Sequence, residues 1–353
     1  MKRHTTISSS VSLFPCFPCD SVANRCSSAA HRNVFLAALS VAACIALAPG
    51  YALAQAYPSK PIKLLVGFAA GGATDVTARM LAPKLASSLG QPVVIENRLG
   101  SGGAIATEAV AKSAADGYTL LLMPAADAAQ PAVRRKLPYD LERDFVPVSR
   151  IVLGPWVLVV NPSVPVRTAQ ELFALARAHP GKLNYASSGI GSSAHITTEL
   201  IKSMARVDIV HIPYKGVSDG VTATAIGQAD MILASYPAAH PLLQAGKVRP
   251  LAVSIGKRWV MMPSLPTLDE AGLRGFDRSG WYGMLAPAGV PREIVMRLNA
   301  LIVTIVNAPD MSDALRKQGL EPSTSTPEEF GAFIRNEVAQ NVVIAKAAGI
   351  TVE

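Results

Sequence analysis

The sequence predicts an α/β fold with two lobes, each built on a mostly parallel β-sheet flanked by helices. Three observations support this prediction. Short aliphatic runs alternate with helical patterns, which is typical of parallel sheets covered on both faces. A strand that ends in a glycine-rich turn and leads directly into a helix occurs twice, at 62–75 and at 183–205. The spacing of the two elements is about one small domain, so we expect one in each lobe.

The first lobe is predicted at residues 57–157 and, after a detour of the chain, at 281–353. Pro83 lies inside its first helix pattern and predicts a kink or an early end there, because proline donates no backbone hydrogen bond. Thr326 and Glu329 form a capping box that marks the start of the last helix. The expected strands are at 62–68, 93–96, 118–123 and 281–286, and the expected helices are at 74–89, 103–114 and 292–307 and from residue 327.

The second lobe is predicted at residues 158–280. Thr168 and Glu171 form another capping box, which opens a helix that ends at residue 178. Strand and helix patterns then alternate, as expected for strands joined by crossover helices. The expected strands are at 157–160, 183–186, 209–213, 231–234 and 250–253, and the other helices are expected at 193–205 and 217–226.

Residues 1–54 are predicted to be a secretory signal peptide. An uncharged apolar run at 34–48 is followed by Ala52-Leu53-Ala54, which supplies the small residues of a cleavage site. The run is shorter than the roughly 20 residues that a transmembrane helix needs. Cleavage at Ala54 or at Ala56 fits equally well, and a loose lipoprotein box ending at Cys44 is the alternative. The prediction is export to the periplasm.

Composition excludes several classes of protein. All four cysteines lie in the predicted leader, so the mature chain has no disulfide and no thiol nucleophile. The leader carries a net +3 of the formal +8, which leaves +5, and the basic residues are scattered. A nucleic-acid partner would need a concentrated basic patch. The four histidines outside the leader are not at metal-ligand spacing. We therefore expect no nucleic acid, no metal, no cofactor and, from an ordinary apolar fraction, a monomer.

The turn after the first strand is the first candidate binding element. Its residues are Phe68, Ala69, Ala70, Gly71 and Gly72. A helix start directs backbone N–H groups and a positive helix end toward one point, which favours an anion such as a carboxylate. Asp75, a further candidate residue, offsets the helix dipole and is not expected to touch the anion directly. The alternative is a plain strand-to-helix turn.

A second turn of the same kind lies at 187–193. His195 follows in the first helical turn, where the helix dipole favours a neutral ring that donates one hydrogen bond. Ligand contact and core packing are both open for this histidine. Two such turns on separate lobes predict a cleft that closes on an acid. The candidate residues of the turn are Gly189, Gly191, Ser192 and Ser193, of which either serine also serves as a helix cap.

Four other side chains are candidates for the same cleft. Lys215 ends a strand and either pairs with an anion or lies on a solvated rim. Asp230 either accepts a hydrogen bond from a ligand amine or orients a turn. Tyr236 follows a strand of the second lobe, and Trp281 stands where the chain returns to the first lobe. Both aromatic residues are expected to form apolar walls.

Two motifs are typical of enzymes, but each lacks its partners. The glycines at 100–103 do not spell G-x-G-x-x-G, so a dinucleotide site is not expected. The run at 216–220 does spell G-x-S-x-G around Ser218. A hydrolase then needs a later histidine, and the sequence offers only His240, far from the C-terminus. We predict no catalytic residue, with a secreted serine hydrolase using Ser218 as the alternative.

These residues together resemble the Bug family, the periplasmic receptors of tripartite tricarboxylate transporters. The resemblance covers essentially all of the mature chain and rests on many motifs in the same order. Among them are Tyr57-Pro58-Ser59-Lys60-Pro61-Ile62, Gly67-Phe68-x-x-Gly71-Gly72-x-x-Asp75, Asp116-Gly117-Tyr118-Thr119-Leu120, Leu137-Pro138-Tyr139-Asp140, Ile212-Pro213-Tyr214-Lys215-Gly216 and Ala286-Pro287-Ala288-Gly289-x-Pro291.

The resemblance implies a periplasmic binding protein fold of type II with a ligand between the lobes. It also implies that the backbone N–H groups of residues 68–72 and 189–193, with ordered water, hold a small carboxylate. The partners that it implies are the membrane subunits of a transporter. A sensor kinase that receives the same closed form is the other possible partner.

The sequence departs from the family pattern at 124–131, after the third strand. Asp127 replaces a small polar residue there and is expected at the opening of the cleft. A carboxylate at that point repels a second ligand carboxylate. The sequence therefore predicts a monocarboxylate, an amino-acid-like or an amide-bearing ligand rather than a tricarboxylate.

Overall fold

The computed structural model describes residues 57–68, 70–134 and 136–350, so the predicted signal peptide lies outside the described residues. Eleven strands of this part form a six-stranded and a five-stranded sheet. The strands are β1 (Ile62–Val66), β2 (Val93–Asn97), β3 (Thr119–Pro124), β4 (Phe145–Gly154), β5 (Trp156–Val160), β6 (Asn184–Ser187), β7 (Val210–Pro213), β8 (Met231–Ser235), β9 (Arg249–Val253), β10 (Gly280–Pro287) and β11 (Glu321–Pro322).

Ten α-helices connect and cover the described strands. Helices α4 and α10 begin with the predicted capping boxes of Thr168 with Glu171 and of Thr326 with Glu329. The helices are α1 (Ala73–Leu89), α2 (Ala104–Ala111), α3 (Ala125–Val133), α4 (Ala169–Ala178), α5 (Ser193–Ala205), α6 (Val217–Ala225), α7 (Tyr236–Gln244), α8 (Arg292–Asn307), α9 (Pro309–Lys317) and α10 (Pro327–Ala347).

The two sheets have the strand orders β11-β4-β10-β3-β1-β2 and β7-β6-β8-β5-β9. We call the first sheet with α1–α3 and α8–α10 the first lobe, and the second sheet with α4–α7 the second lobe. The expectation of mostly parallel sheets is wrong, because β10 runs antiparallel to β3 and β4, and β5 runs antiparallel to β8 and β9. The chain crosses between the lobes twice, and β5 and β10 are the strands that follow these crossings. Because each of them enters its sheet from the other lobe, it runs antiparallel to its neighbours.

The first crossing takes a single residue. Strand β4 ends at Gly154 in the first sheet and β5 begins at Trp156 in the second. The second lobe thus begins two residues before the limit of 158 that the sequence analysis set. The return crossing ends at β10, whose pairing from Gly280 to Pro287 lies entirely in the first sheet.

Each sheet separates two apolar layers. Leu64 and Val66 of β1 pack with Leu81 of α1 and Leu298 of α8 on one face, whereas Leu65 packs on the other face. This is the alternation that a strand covered on both sides requires. A further small apolar cluster joins the lobes and consists of Ala129 and Val133 of α3, Ile196 of α5 and Ala345 of α10.

Nine expected strands are present within two residues of their predicted limits, and β4 and β11 were not expected. Helices α3, α7 and α9 were also missed. The helices α3 and α7 carry internal prolines, Pro131 and Pro241, which hide a helical pattern. Helix α1 does not end at Pro83 but continues to Leu89. Within the described range no single helix is long and apolar enough to cross a membrane, although α8 and α9, bent by 71°, pass that test as a pair.

Candidate ligand-binding cleft

A cleft of about 740 Å³ is lined by residues of both lobes. This volume lies in the range of pockets for small molecules. The first lobe contributes the first loop (residues 67–72, of which 69 is not described) and the start of α3. The second lobe contributes the second loop (residues 188–192), whose tip residue Ile190 is 67% exposed.

Five helix N-termini face this cleft. Helices α1, α3, α5, α6 and α7 each place residues of their first turn on its wall. Four of them have no side-chain hydrogen bond at the N-cap, and only α5 is capped, by Ser192. The first N–H groups of a helix have no partner inside the helix. The cleft therefore presents unpaired donors and positive helix ends, which favour an anion.

A buried carboxylate holds the first loop from behind. Gly71 has a φ of +81° and donates its N–H to Asp75 Oδ2 at 2.8 Å. Asp75 also accepts from Arg79 Nε at 2.7 Å and from Asn97 Nδ2 at 2.9 Å. Burial acts to raise the pKa of Asp75, but the hydrogen bonds from Arg79, Gly71 and Asn97 outweigh it and keep the pKa below its usual value. Asp75 does not line the cleft.

An imidazole holds the second loop in the same way. Gly191 has a φ of +74° and donates its N–H to His195 Nδ1 at 3.0 Å. At this point the ring of His195 accepts rather than donates, so the one N–H of a neutral ring is on Nε2. His195 is 6% exposed and lies behind the loop rather than on the cleft wall.

Half of the candidate residues line the cleft. Ser193 stands out among them, because its Oγ is buried and has no hydrogen-bond partner within the described residues. A buried hydroxyl without a partner is costly unless a ligand or water supplies one. The candidates on the wall are Phe68, Gly71, Gly72, Gly191, Ser192, Ser193, Lys215 and Trp281.

The other candidates lie elsewhere. Asp230 accepts from Asn184 N at 2.8 Å and so ties β8 to β6. Tyr236 packs edge-on against Trp259, with 4.8 Å between ring centroids. Ala69 is outside the described residues. The described candidates that do not line the cleft are Ala70, Asp75, Asp127, Gly189, His195, Asp230 and Tyr236.

Asp127 does not lie at the cleft opening as expected. Its side chain points into the first lobe and is 1% exposed. Thr107 Oγ1 at 3.3 Å is the hydrogen-bond partner of Oδ2, while Oδ1 has no partner among the described residues. Burial raises the pKa of Asp127 to about 8, so the carboxyl group is largely uncharged at neutral pH. The prediction that Asp127 repels a second ligand carboxylate therefore loses its premise.

Arg134 is a cationic residue of the cleft that was not expected from the sequence. Arg134 follows the unexpected helix α3, and its guanidinium donates from Nε to Gln130 Oε1 at 2.7 Å and from Nη2 to Ser101 O at 3.0 Å. Lys215 lies on the wall of the second lobe, and Asp219 is the acidic residue on the wall. The side chains of the described wall thus add a net positive charge to the helix ends.

Within the described residues, Ser218 and His240 do not form the catalytic pair that a serine hydrolase needs. Ser218 lines the cleft, but its hydroxyl makes no hydrogen bond to a described histidine or carboxylate, and His240 lies against Tyr236, with 4.9 Å between ring centroids. No group of three or more His, Cys, Asp or Glu side chains among the described residues is placed to hold a metal ion.

Two α/β lobes joined by crossing strands, with helix N-termini and two glycine loops around a shared cleft, define the class of periplasmic solute-binding receptors. The chain belongs to the tripartite tricarboxylate transporter receptor family (TctC), whose family model matches residues 77–350. The predicted Bug resemblance is thereby confirmed, and so is the predicted α/β fold class, apart from the direction of the strands.

Relatives of this family cover most of the chain. BugT of Bordetella pertussis is 36% identical over 319 residues, which are 90% of this chain and 96% of the relative. A protein of R. palustris solved with adipate is 38% identical, with a TM-score of 0.76 over 83% of this chain and 98% of its own. MatC of Rhodopseudomonas palustris, solved with bound malate, is 31% identical, with a TM-score of 0.72 over 82% and 99%.

Proposed function

We propose that this receptor captures a small organic acid in the periplasm and that the two lobes close on it by a hinge. The observation that carries the proposal is the convergence of five helix N-termini on one cleft, four of them without a side-chain cap. An ionised carboxylate offers two oxygens that accept several N–H groups at once. Such a ligand pairs donors that otherwise only water can pair.

The carboxylate is expected to lie between the two loops. Donors for it are the first-turn N–H groups of α1 at Ala73 and Thr74 and of α5 at Ser193, with the unpartnered Ser193 hydroxyl. The N–H groups of Gly71 and Gly191 are not counted, because Asp75 and His195 already accept from them.

A dicarboxylate is the ligand class that the charges favour. Arg134 and Lys215 stand on opposite walls, and Asp127 brings no charge to the cleft. The guanidinium of Arg134 is oriented by Gln130 and Ser101, so little side-chain entropy is lost when it binds a second carboxylate. Relatives solved with adipate and with malate hold acids of this class.

The biological setting is part of the same proposal. Residues 1–54 direct export, and the two lobes act as separate bodies around the crossings near Pro155 and before Gly280. A monomeric closed form then presents the ligand to transporter membrane subunits, and no bond of the ligand is made or broken. A sensor kinase that reads the closed form is the variant of this proposal.

A thermal-shift and calorimetric comparison of adipate with hexanoate tests the ligand class. The two acids have the same chain length and differ by one carboxylate. Residues 55–353 at 100 times the dissociation constant of adipate should gain about 2.7 kcal/mol of stability. Arg134→Gln should weaken adipate about tenfold or more and leave hexanoate unchanged. Failure of every small acid to bind, or recovery of a chemically altered ligand, would overturn the receptor proposal.

A further inference from the structure

Behind the second loop lies a pair of stacked imidazoles. His195 of α5 and His211 of β7 have ring centroids 3.9 Å apart and an angle of 12° between planes. Each ring is tied to one part of the loop. His195 Nδ1 accepts from Gly191 N, and His211 Nε2 lies 2.6 Å from Ser187 Oγ, which in turn hydrogen bonds to Gly189. The shape of the loop therefore depends on both rings.

The hydrogen bond to Gly191 fixes the protonation state of His195. A backbone N–H only donates, so Nδ1 must carry no proton and the neutral ring carries its proton on Nε2. An imidazolium donates from both nitrogens. Protonation therefore removes the acceptor and turns an N–H group of the ring toward the N–H group of Gly191.

The surroundings of the pair oppose protonation. The ring of Tyr185 stacks on His211 at 4.8 Å, and its hydroxyl donates to Glu199 Oε1 at 2.6 Å. Lys202 Nζ lies 2.7 Å from the same oxygen, so the carboxylate nearest the pair is already matched by a cation. Burial lowers the pKa of His195 and, together with the neighbouring ring, lowers that of His211 to about 4; Lys202 adds to this and Glu199 acts against it.

We propose that His195 is a positioning residue that keeps the second loop in its binding shape only while its ring is neutral, so that the receptor loses ligand as its surroundings acidify. The loss of ligand at low pH rests on the proposed function, because it requires the cleft to be the acid-binding site. The change in the loop does not rest on that function, because it requires only that His195 Nδ1 turns from an acceptor into a donor beside Gly191.

Substitution of His195 by asparagine separates the position of the acceptor atom from the protonation of the ring. Asn Oδ1 stands as many bonds from Cα as His Nδ1. The first loop shows that an acceptor of this length reaches the glycine N–H four residues earlier, since Asp75 Oδ2 accepts from Gly71 at 2.8 Å. His195→Asn therefore keeps an acceptor for Gly191 and does not titrate. His195→Ala removes the acceptor at every pH.

The first measurement is adipate and malate affinity between pH 8 and pH 5 for the three proteins. The native protein should lose more affinity than His195→Asn toward the acid end of this range, up to a limit of about tenfold, which is the worth of one hydrogen bond. His195→Ala should bind weakly throughout. Protonation of the ligand affects all three proteins equally, so a common pH profile of native protein and His195→Asn would overturn the proposal.

The second measurement needs no ligand and no variant. NMR of the uniformly labelled native protein follows the ring nitrogens of His195 and the amide of Gly191 during an acid titration. We expect the Nε2–H tautomer at pH 8 and a Gly191 amide shift that changes with the protonation of His195. Independent titration of the two would overturn the proposal. If neither acid binds at any pH while the two signals do move together, the dicarboxylate function fails and the loop mechanism stands.

Discussion

The two glycine loops of the cleft have the same design and different acceptors. In each, a glycine with positive φ donates its N–H to the side chain four residues later, in the first turn of a helix. The acceptor is the carboxylate of Asp75 in the first loop and the imidazole of His195 in the second. In both loops the acceptor is an atom bonded to a planar Cγ. Whether this atom belongs to a carboxylate or to an imidazole decides at which pH the hydrogen bond to the glycine is lost.

The loops also differ in what surrounds them. A side chain at Gly71 would meet nothing within 4 Å, whereas one at Gly191 would stand 2.8 Å from Val133 Cγ2 of α3. Gly71 thus has free space beside it, whereas Gly191 lies against Val133 of the opposite lobe. If the lobes close as proposed, the contact between Gly191 and Val133 couples that movement to the shape of the second loop.

The largest effect should follow Asp75→Ala. The substitution leaves the N–H of Gly71 and the amide of Asn97 without their acceptor in a buried region, at about 3 kcal/mol in free energy of unfolding. Urea denaturation at pH 7 measures the loss. Asp75→Asn is the matched control, since its one oxygen keeps an acceptor for Gly71 while it gives up the hydrogen bond from Asn97 and the ion pair with Arg79, which is 55% exposed. A loss no larger for Asp75→Ala than for Asp75→Asn would contradict the role of the acceptor.

A smaller effect separates the two glycines. Gly71→Ala should cost about 1 kcal/mol, because an L-residue is strained at positive φ and nothing else is disturbed. Gly191→Ala carries the same strain and adds overlap with Val133, for a total of roughly 2 kcal/mol. Thermal melts give both values.

The double variant Gly191→Ala with Val133→Ala checks the cause. Part of the stability should return, because the added methyl group then meets a smaller side chain. Purely additive losses would show that the strain of Gly191 and the contact between lobes are independent.

The smallest effect should follow substitution of Asp127, another buried carboxyl group of the first lobe. Asp127 lacks the donors that keep Asp75 ionised, and its pKa in the folded protein, about 8, lies above the ordinary 3.8. As the pH rises from 4 to 8 the unfolded chain ionises and the folded one does not, so stability is lost with rising pH in this window. Asp127→Asn should remove that loss, but its net gain at pH 8 should be only about 1 kcal/mol, because the buried amide finds few hydrogen-bond partners. Melting curves at pH 5 and pH 8 that shift equally for both proteins would contradict it.

Much of the backbone of the cleft was predictable from sequence. The strand-turn-helix pattern placed both loops, and the helix starts at Ala73 and Ser193 lie within one residue of expectation. The acceptors were also within reach. A glycine followed four residues later by Asp75 or His195 is a readable pattern, but Asp75 was considered for the helix dipole and His195 for ligand contact or core packing, and neither was considered for the loop.

Other parts of the site depend on tertiary structure. Helix α3 was missed because Pro131 interrupts its pattern, and Arg134 at its end was missed with it. Asp127 was assigned to the cleft because a sequence does not show which side of a short helix is buried. The stacking of His195 on His211 joins a helix to a strand sixteen residues later, and no local pattern encodes that contact.

Ile190 at the tip of the second loop has a practical consequence. Its side chain is 67% exposed on the wall of the cleft, next to the glycine that touches the opposite lobe. All cysteines of the chain precede residue 55, so a single cysteine placed at 190 would be the sole thiol of residues 55–353. A fluorescent dye attached there would change its environment as the lobes close, which makes this position a natural point for an optical reporter of organic acids.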